Sequence, residues 1–150
     1  MLYTHFTIVP NALFLWLHCE QYDCDKYEKC YFSLEKKDKN KKELDSVAIK
    51  EILFNLRDKK YFYICGGESL IDSNLESLKK LLLSVRAAYP ELIITMNSCL
   101  DFSIVSEAES DSKTLKIIID SINTIIYEPY SQTNREAVHY HDLKELNLKE

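Results

Sequence analysis

Glycine is nearly missing from this chain. Two occur in 150 residues, where average usage of about 7% would give roughly ten, so ordinary turns are made without it and the remaining pair is held for a special place. They stand side by side, Gly66-Gly67, between the apolar run Tyr61 to Cys65 and Glu68. Glycine is irreplaceable where φ is positive or where another group must approach bare backbone, and a strand end leading into a helix offers both. Long apolar runs are missing too. The longest near the N-terminus, Ala12 to Leu17, is far below the ~20 residues of a helical membrane span, which predicts a soluble protein with no membrane partner. Nor is there an excess of positive charge: a net charge of −5 and a pI near 5.4 disfavour a non-specific binder of nucleic acid or anionic lipid. No secretory leader is visible, and the five cysteines are an odd number. A disulfide framework is therefore not expected; a reducing, cytoplasmic setting is, with thiols used for metal or chemistry.

What is present organises itself around one core. With 46% hydrophobic residues the chain is long enough for one core and short for two, so residues 1–150 are read as a single domain. Phe6 to Val9 and Leu13 to Leu17, parted by Pro10-Asn11, predict an N-terminal hairpin whose second strand delivers His18 and Cys19. Residues 19–33 mix cysteine with Glu, Asp, Lys and Tyr without a period and form a loop. The lysine-rich Glu35 to Lys42 reads as a solvated linker, because acidic residues interrupt it. Residues 19–42 are thus a cysteine loop and charged linker.

Ile49, Ile52, Leu53 and Leu56 recur at i, i+3, i+4, i+7, which places a helix over residues 43–58. Tyr61 to Cys65 makes a strand running into the glycines. Ser73-Asn74-Leu75-Glu76 has the form of a capping box, and Leu75, Leu78, Leu82 and Val85 share one face until Pro90 stops the helix, predicted over 74–88. Leu92 to Met96 reads as a strand covered on both faces. Leu115, Ile118, Ile119 and Ile122 predict a third helix after a cap at Asp111 or Ser112, and Thr124 to Tyr127 a last strand before Pro129. The stretch 101–110 is ambiguous, and within the tail, 131–150, a helix is read over 134–150. Strands and helices alternating in this order predict an α/β fold, a mostly parallel sheet with helical crossovers, whose ligands bind at the carboxyl ends of the strands. Cys19 and Gly66-Gly67-Glu68 fall at two such ends and are expected to share a pocket.

Three cysteines crowd the first loop, Cys19, Cys24 and Cys30, in the pattern Cys-x4-Cys-x5-Cys. Three thiolates hold three irons of a [4Fe-4S] cluster and leave the fourth open to a small molecule. With His18 they also suit a Cys3His zinc site, although His18 beside Cys19 is awkward for a tetrahedron. Three unliganded thiols in a polar loop is the plain alternative, and spacing alone does not choose. The Gly-Gly-Glu turn, taken alone, is better explained as a simple strand-to-helix turn. Elsewhere plain readings prevail. Cys65 and Cys99 are read as small buried hydrophobes, and Trp16 and the tyrosines as sheet-face packing. His139 and His141 are read as surface residues, being two apart and unable to share a helical face. Asn97 and Ser98 either touch a ligand or cap a turn.

Order and setting add what neither motif has alone. A first strand ending in a cysteine-rich loop, a helix, then a second strand ending in Gly-Gly-Glu resembles the radical S-adenosylmethionine (radical SAM) superfamily. The run Ile64-Cys-Gly-Gly-Glu-Ser-Leu-Ile71 is similar to the family's Gly-Gly-Glu-Pro stretch, with Ser69 at the usual proline, and the resemblance covers residues 6–130. The cysteine loop departs from the family's Cys-x3-Cys-x2-Cys, and Lys29 stands where the family has an aromatic residue. Compact size and the N-terminal hairpin are most similar to the small activating enzymes of anaerobic ribonucleotide reductase, which install a glycyl radical on a partner.

The resemblance implies a partial (β/α) barrel and two cofactors. By it, Cys19, Cys24 and Cys30 ligate a [4Fe-4S] cluster, and Gly66, Gly67 and Glu68 receive the amino group of the methionine moiety of S-adenosylmethionine. An ammonium group wants a carboxylate and backbone acceptors in a site that glycine leaves uncrowded. The implied activity is reductive cleavage of S-adenosylmethionine, with a glycyl-radical enzyme as partner and an electron donor such as flavodoxin or ferredoxin. The alternatives are a radical SAM enzyme acting on a small nucleotide-like molecule, or a non-enzymatic zinc or interaction module of the same fold.

Overall fold

The computed structural model describes residues 1–18, 41–67, 69–70, 72–98, 109–127 and 139–142. In chain order the elements are β1 (Leu2–Val9), β2 (Ala12–Leu17), β3 (Lys42–Glu43), α1 (Ser46–Leu56), β4 (Tyr61–Gly66), α2 (Leu75–Ala88), β5 (Ile93–Ser98), α3 (Glu109–Ser121), β6 (Thr124–Tyr127) and β7 (His139–Asp142). The strands form one open sheet in the order β3-β1-β2-β4-β5-β6-β7. Its centre, β2, β4, β5 and β6, is parallel, and the flanking pairs are antiparallel. The expected α/β class, mostly parallel sheet and N-terminal hairpin are all present.

Each crossover from β2 to β4, β4 to β5 and β5 to β6 steps the same way across the sheet, so the usual right-handed connection puts α1, α2 and α3 on one face. Burial agrees. Leu13, Leu15, Leu17, Phe62, Ile64, Ile94, Met96 and Ile125 point to the helices and are fully buried against Ile52, Leu56, Leu78, Leu82, Val85 and Ile118. The opposite face carries Phe14, Trp16, Tyr63, Thr95 and Asn97, each only partly covered. The expectation that the fifth strand is covered on both faces is thus corrected: helices coat one side only, and its residues alternate between full and partial burial. A singly wound parallel order is how a (β/α) barrel begins, and here the sheet stays open.

Local chemistry sets the element ends. Asp45 has extended backbone, φ −92° and ψ −176°, and its carboxylate accepts from the Ala48 N–H at 2.9 Å, a working N-cap of about 1 kcal/mol. The box foreseen at residues 73–76 does not form. Asn74 closes a short 3-10 turn, Asp72–Asn74, with φ −96° and ψ −20°. That backbone is already helical, whereas a capping side chain needs an extended one. Glu76 turns instead to Lys79 Nζ and the Thr114 hydroxyl, tying α2 to α3. Between β1 and β2 the pairing slips so that Tyr3 faces Leu17 and His5 faces Trp16, leaving Thr4 as the extra residue of a bulge. Only this slip lets Tyr3 and Phe6 share a face, where their rings stack at 5.0 Å.

Two short strands went unforeseen. β3 is too short to show a period. In the tail, where a helix was expected, His139–Asp142 pairs antiparallel with β6; the run His-Tyr-His-Asp offers no apolar stripe to a helix, while the edge of β6 offers unpaired backbone groups.

Candidate cofactor site

Because β2, β4, β5 and β6 run parallel, their carboxyl ends share one edge of the sheet. At that edge Leu17 is in register with Gly66, and the Gly67 N–H donates to the Leu17 carbonyl at 2.8 Å. The chain that leaves β2 toward Cys19 therefore starts beside the Gly66-Gly67 turn, as the shared-pocket expectation requires. Cys19, Cys24, Cys30 and Glu68 themselves lie outside the described residues, as do Cys99 and most of the charged linker. Among the described residues, no three His, Cys, Asp or Glu side chains group as a metal site.

Gly66 has a cause of its own. Its φ is +92°, and a Cβ built there would lie 2.6 Å from the Leu17 carbonyl oxygen and 2.8 Å from the Leu17 nitrogen. The neighbour that demands bare backbone is thus strand β2, whether or not a ligand also approaches. This sharp turn redirects the chain from β4 into the buried Ser69 and Leu70. Ser69, at the position where the resembled family has proline, is 1% exposed and donates its hydroxyl to the Asn97 carbonyl at 2.8 Å, fastening the turn to β5.

His18 ends β2. Its backbone N–H donates to the Leu2 carbonyl at 3.0 Å, which fixes the last residue before Cys19. The side chain is 2% exposed, and its Nδ1 has no hydrogen-bond partner. A buried polar atom left so is costly and calls for an unseen water, ion or cofactor. Opposite Leu17 on the helix side, burial raises the pKa of Tyr3, and the Glu51 and Asp45 carboxylates add to the rise.

The open face of the sheet is layered by the strand registers. Nearest the site edge lie His5, Trp16 and Cys65, with Asn97 on the same face of β5; the next layer is Thr7, Phe14, Tyr63, Thr95 and Thr124. The His5 and Trp16 rings stack at 5.5 Å, and the indole N–H donates to Thr7 Oγ1 at 2.9 Å. Phe14 meets Tyr63 at 5.3 Å, and the Tyr63 hydroxyl bonds to Asn97 Oδ1. Cys65 is buried as expected, but on this face, with its thiol toward the Leu15 carbonyl at 3.6 Å. Asn97 and Ser98 belong to β5 and not to a turn. Tyr63 and His5 were not foreseen as neighbours of the site. The alternation Tyr61, Tyr63, Cys65 was legible, but the bulge that sets His5 against Trp16 was not.

An edge where a cysteine loop leaves one parallel strand beside the glycine turn of the next, with an orphaned buried imidazole between the strand and the loop, suits an iron-sulfur centre. The chain matches the model of the 4Fe-4S single cluster domain over residues 12–143, and it belongs to that family. Neither the curated proteins nor the solved structures yield a match. Among the described residues no helix is long and apolar enough to cross a membrane.

Proposed function

We propose that this 4Fe-4S domain is a radical SAM enzyme acting as an activase on a larger glycyl-radical partner. The observation that carries the reading is the Leu17–Gly66 register with its Gly67-to-Leu17 bond, which sets the start of the cysteine loop beside the glycine turn. Cys19, Cys24 and Cys30 would ligate three irons, and Gly66, Gly67 and Glu68 would receive the methionine amino group. Held by those cysteines, a [4Fe-4S] group would supply one-electron reduction chemistry for cleaving the sulfonium of S-adenosylmethionine. The protein's own part is placement. The Gly66 turn, held by the Ser69 hydroxyl on the Asn97 carbonyl, would present its backbone at the site edge, and Asn97, bonded to Tyr63 in the layer below, would wall the sheet beneath it. Flavodoxin or ferredoxin would deliver the electron in a cytoplasmic setting.

A second reading, action on a small nucleotide-like ring, is favoured by the aromatic character of that open face. Anaerobic reconstitution with iron and sulfide, followed by EPR of the reduced protein with and without S-adenosylmethionine, tests the class. A [4Fe-4S] signal that changes on addition and is lost in Cys19→Ala supports it; a zinc-only protein, or a cluster indifferent to S-adenosylmethionine, overturns it. Co-purification with a glycyl-radical protein separates the activase from the small-molecule enzyme.

A further inference from the structure

We infer that Nδ1 of His18 donates a hydrogen bond to a sulfur of the [4Fe-4S] cluster and raises its reduction potential. The inference rests on the cluster and on Cys19 as one of its ligands, not on S-adenosylmethionine. His18 is the last described residue before Cys19, and its backbone is pinned by the bond to Leu2. That bond carries the β1–β2 pairing one residue past the strand, so the alternation of β2 assigns His18 to the face of Trp16. There it is 2% exposed, and Nδ1 is without a partner. A neutral imidazole carries its single N–H on one ring nitrogen and accepts at the other; with that proton assigned to Nδ1, the orphaned atom is a buried donor without an acceptor. Cysteinyl and inorganic sulfurs of a cluster are such acceptors, and they become better ones on reduction, when negative charge accumulates. A bond that strengthens on reduction raises the potential, one of the recognised levers on these centres. Direct ligation by His18 is the poorer assignment, since two adjacent residues cannot easily both reach one metal.

The test is an anaerobic redox titration of the reconstituted protein, read by EPR, for the wild type and for His18→Leu, His18→Asn and His18→Gln. The amide nitrogen of asparagine falls near Nδ1, whereas that of glutamine falls near Nε2. At a fixed solution potential His18→Leu is expected to hold about tenfold fewer reduced clusters relative to oxidised ones, equivalent to about 59 mV for a one-electron couple. His18→Asn is expected to restore most of the loss and His18→Gln little of it, with iron and sulfide per chain unchanged throughout. Far-UV circular dichroism of the metal-free variants checks that the fold is kept. Equal midpoints in all four proteins would overturn the assignment, as would loss of iron in His18→Leu, which would make His18 a ligand. A cluster indifferent to S-adenosylmethionine but shifted by these variants would sink the radical SAM reading and leave this one standing.

Discussion

Replacing Gly66 by alanine separates the demands of the fold from those of a cofactor. At φ +92° a side-chain-bearing residue is strained by about 1–3 kcal/mol. The new methyl carbon would sit 2.6 Å from the Leu17 oxygen and 2.8 Å from the Leu17 nitrogen. Both are backbone atoms of the paired strand, and neither can swing aside as a flexible side chain would. Overpacking of this kind adds about 1–3 kcal/mol, for a total of about 4 kcal/mol, a large share of the 5–15 kcal/mol that holds a typical domain. For a chain of this length each kcal/mol lowers the melting temperature by about 2–4 °C, so Gly66→Ala is expected to melt about 8–16 °C below the wild type. The assay is thermal unfolding of the metal-free protein by far-UV circular dichroism, with urea titration as a check on cooperativity. If glycine stood there only to admit a ligand, the metal-free variant would melt with the wild type and the loss would appear in cofactor binding alone. That result would refute the claim that strand β2 imposes the glycine.

Three further outcomes follow from the helix side of the sheet. Arg86 donates to the carbonyls of Ser121 at 2.7 Å and Pro90 at 3.1 Å, to that of Leu92, and to Asn123 Oδ1 at 2.6 Å. Arg86→Ala should cost about 2–4 kcal/mol in urea titration, and Arg86→Lys should not restore it, because one ammonium cannot span that fork. Phe62→Ala, in the fully buried middle of β4, should cost about 3–5 kcal/mol by the same measurement. The hydrogen bond from Lys79 holds the Glu76 carboxyl below its ordinary pKa, with the Lys79 charge and the Thr114 hydroxyl helping against partial desolvation. A folded pKa below the unfolded one gives stability that is present above the unfolded value and lost as the pH falls through the folded value. Glu76→Gln should therefore melt slightly below the wild type at neutral pH and converge with it in acid; a gap that persists at low pH would show that the charge is not its source. The effect is small because the pair is exposed.

The parallel core of this fold was legible because its signals are periodic and local: Ile49, Ile52, Leu53 and Leu56 mark a helix, and Tyr61 to Cys65 marks a strand whatever surrounds it. What the chain did not disclose depends on tertiary neighbours. Ser73 and Glu76 have the letters of a capping box, yet Ser73 lies inside a 3-10 turn, and the acid bonds to α3, an element that no local window contains. The bulge at Thr4 leaves no mark in composition, yet it alone sets His5 on Trp16 and Tyr3 on Phe6. The glycine pair was read as exceptional, and at Gly66 the reason is the backbone of strand β2. A ligand approaching bare backbone and a strand doing so demand the same residue, and only the register of Leu17 with Gly66 tells them apart. His18 is the converse case. As letters, a histidine beside a cysteine suggested an awkward fourth zinc ligand. Buried at the strand end with Nδ1 unpartnered, it has no need to ligate in order to matter. On the proposed assignment, a donor outside the coordination shell would escape the geometric conflict with Cys19 and would leave the fourth iron open, the condition that chemistry at that iron requires.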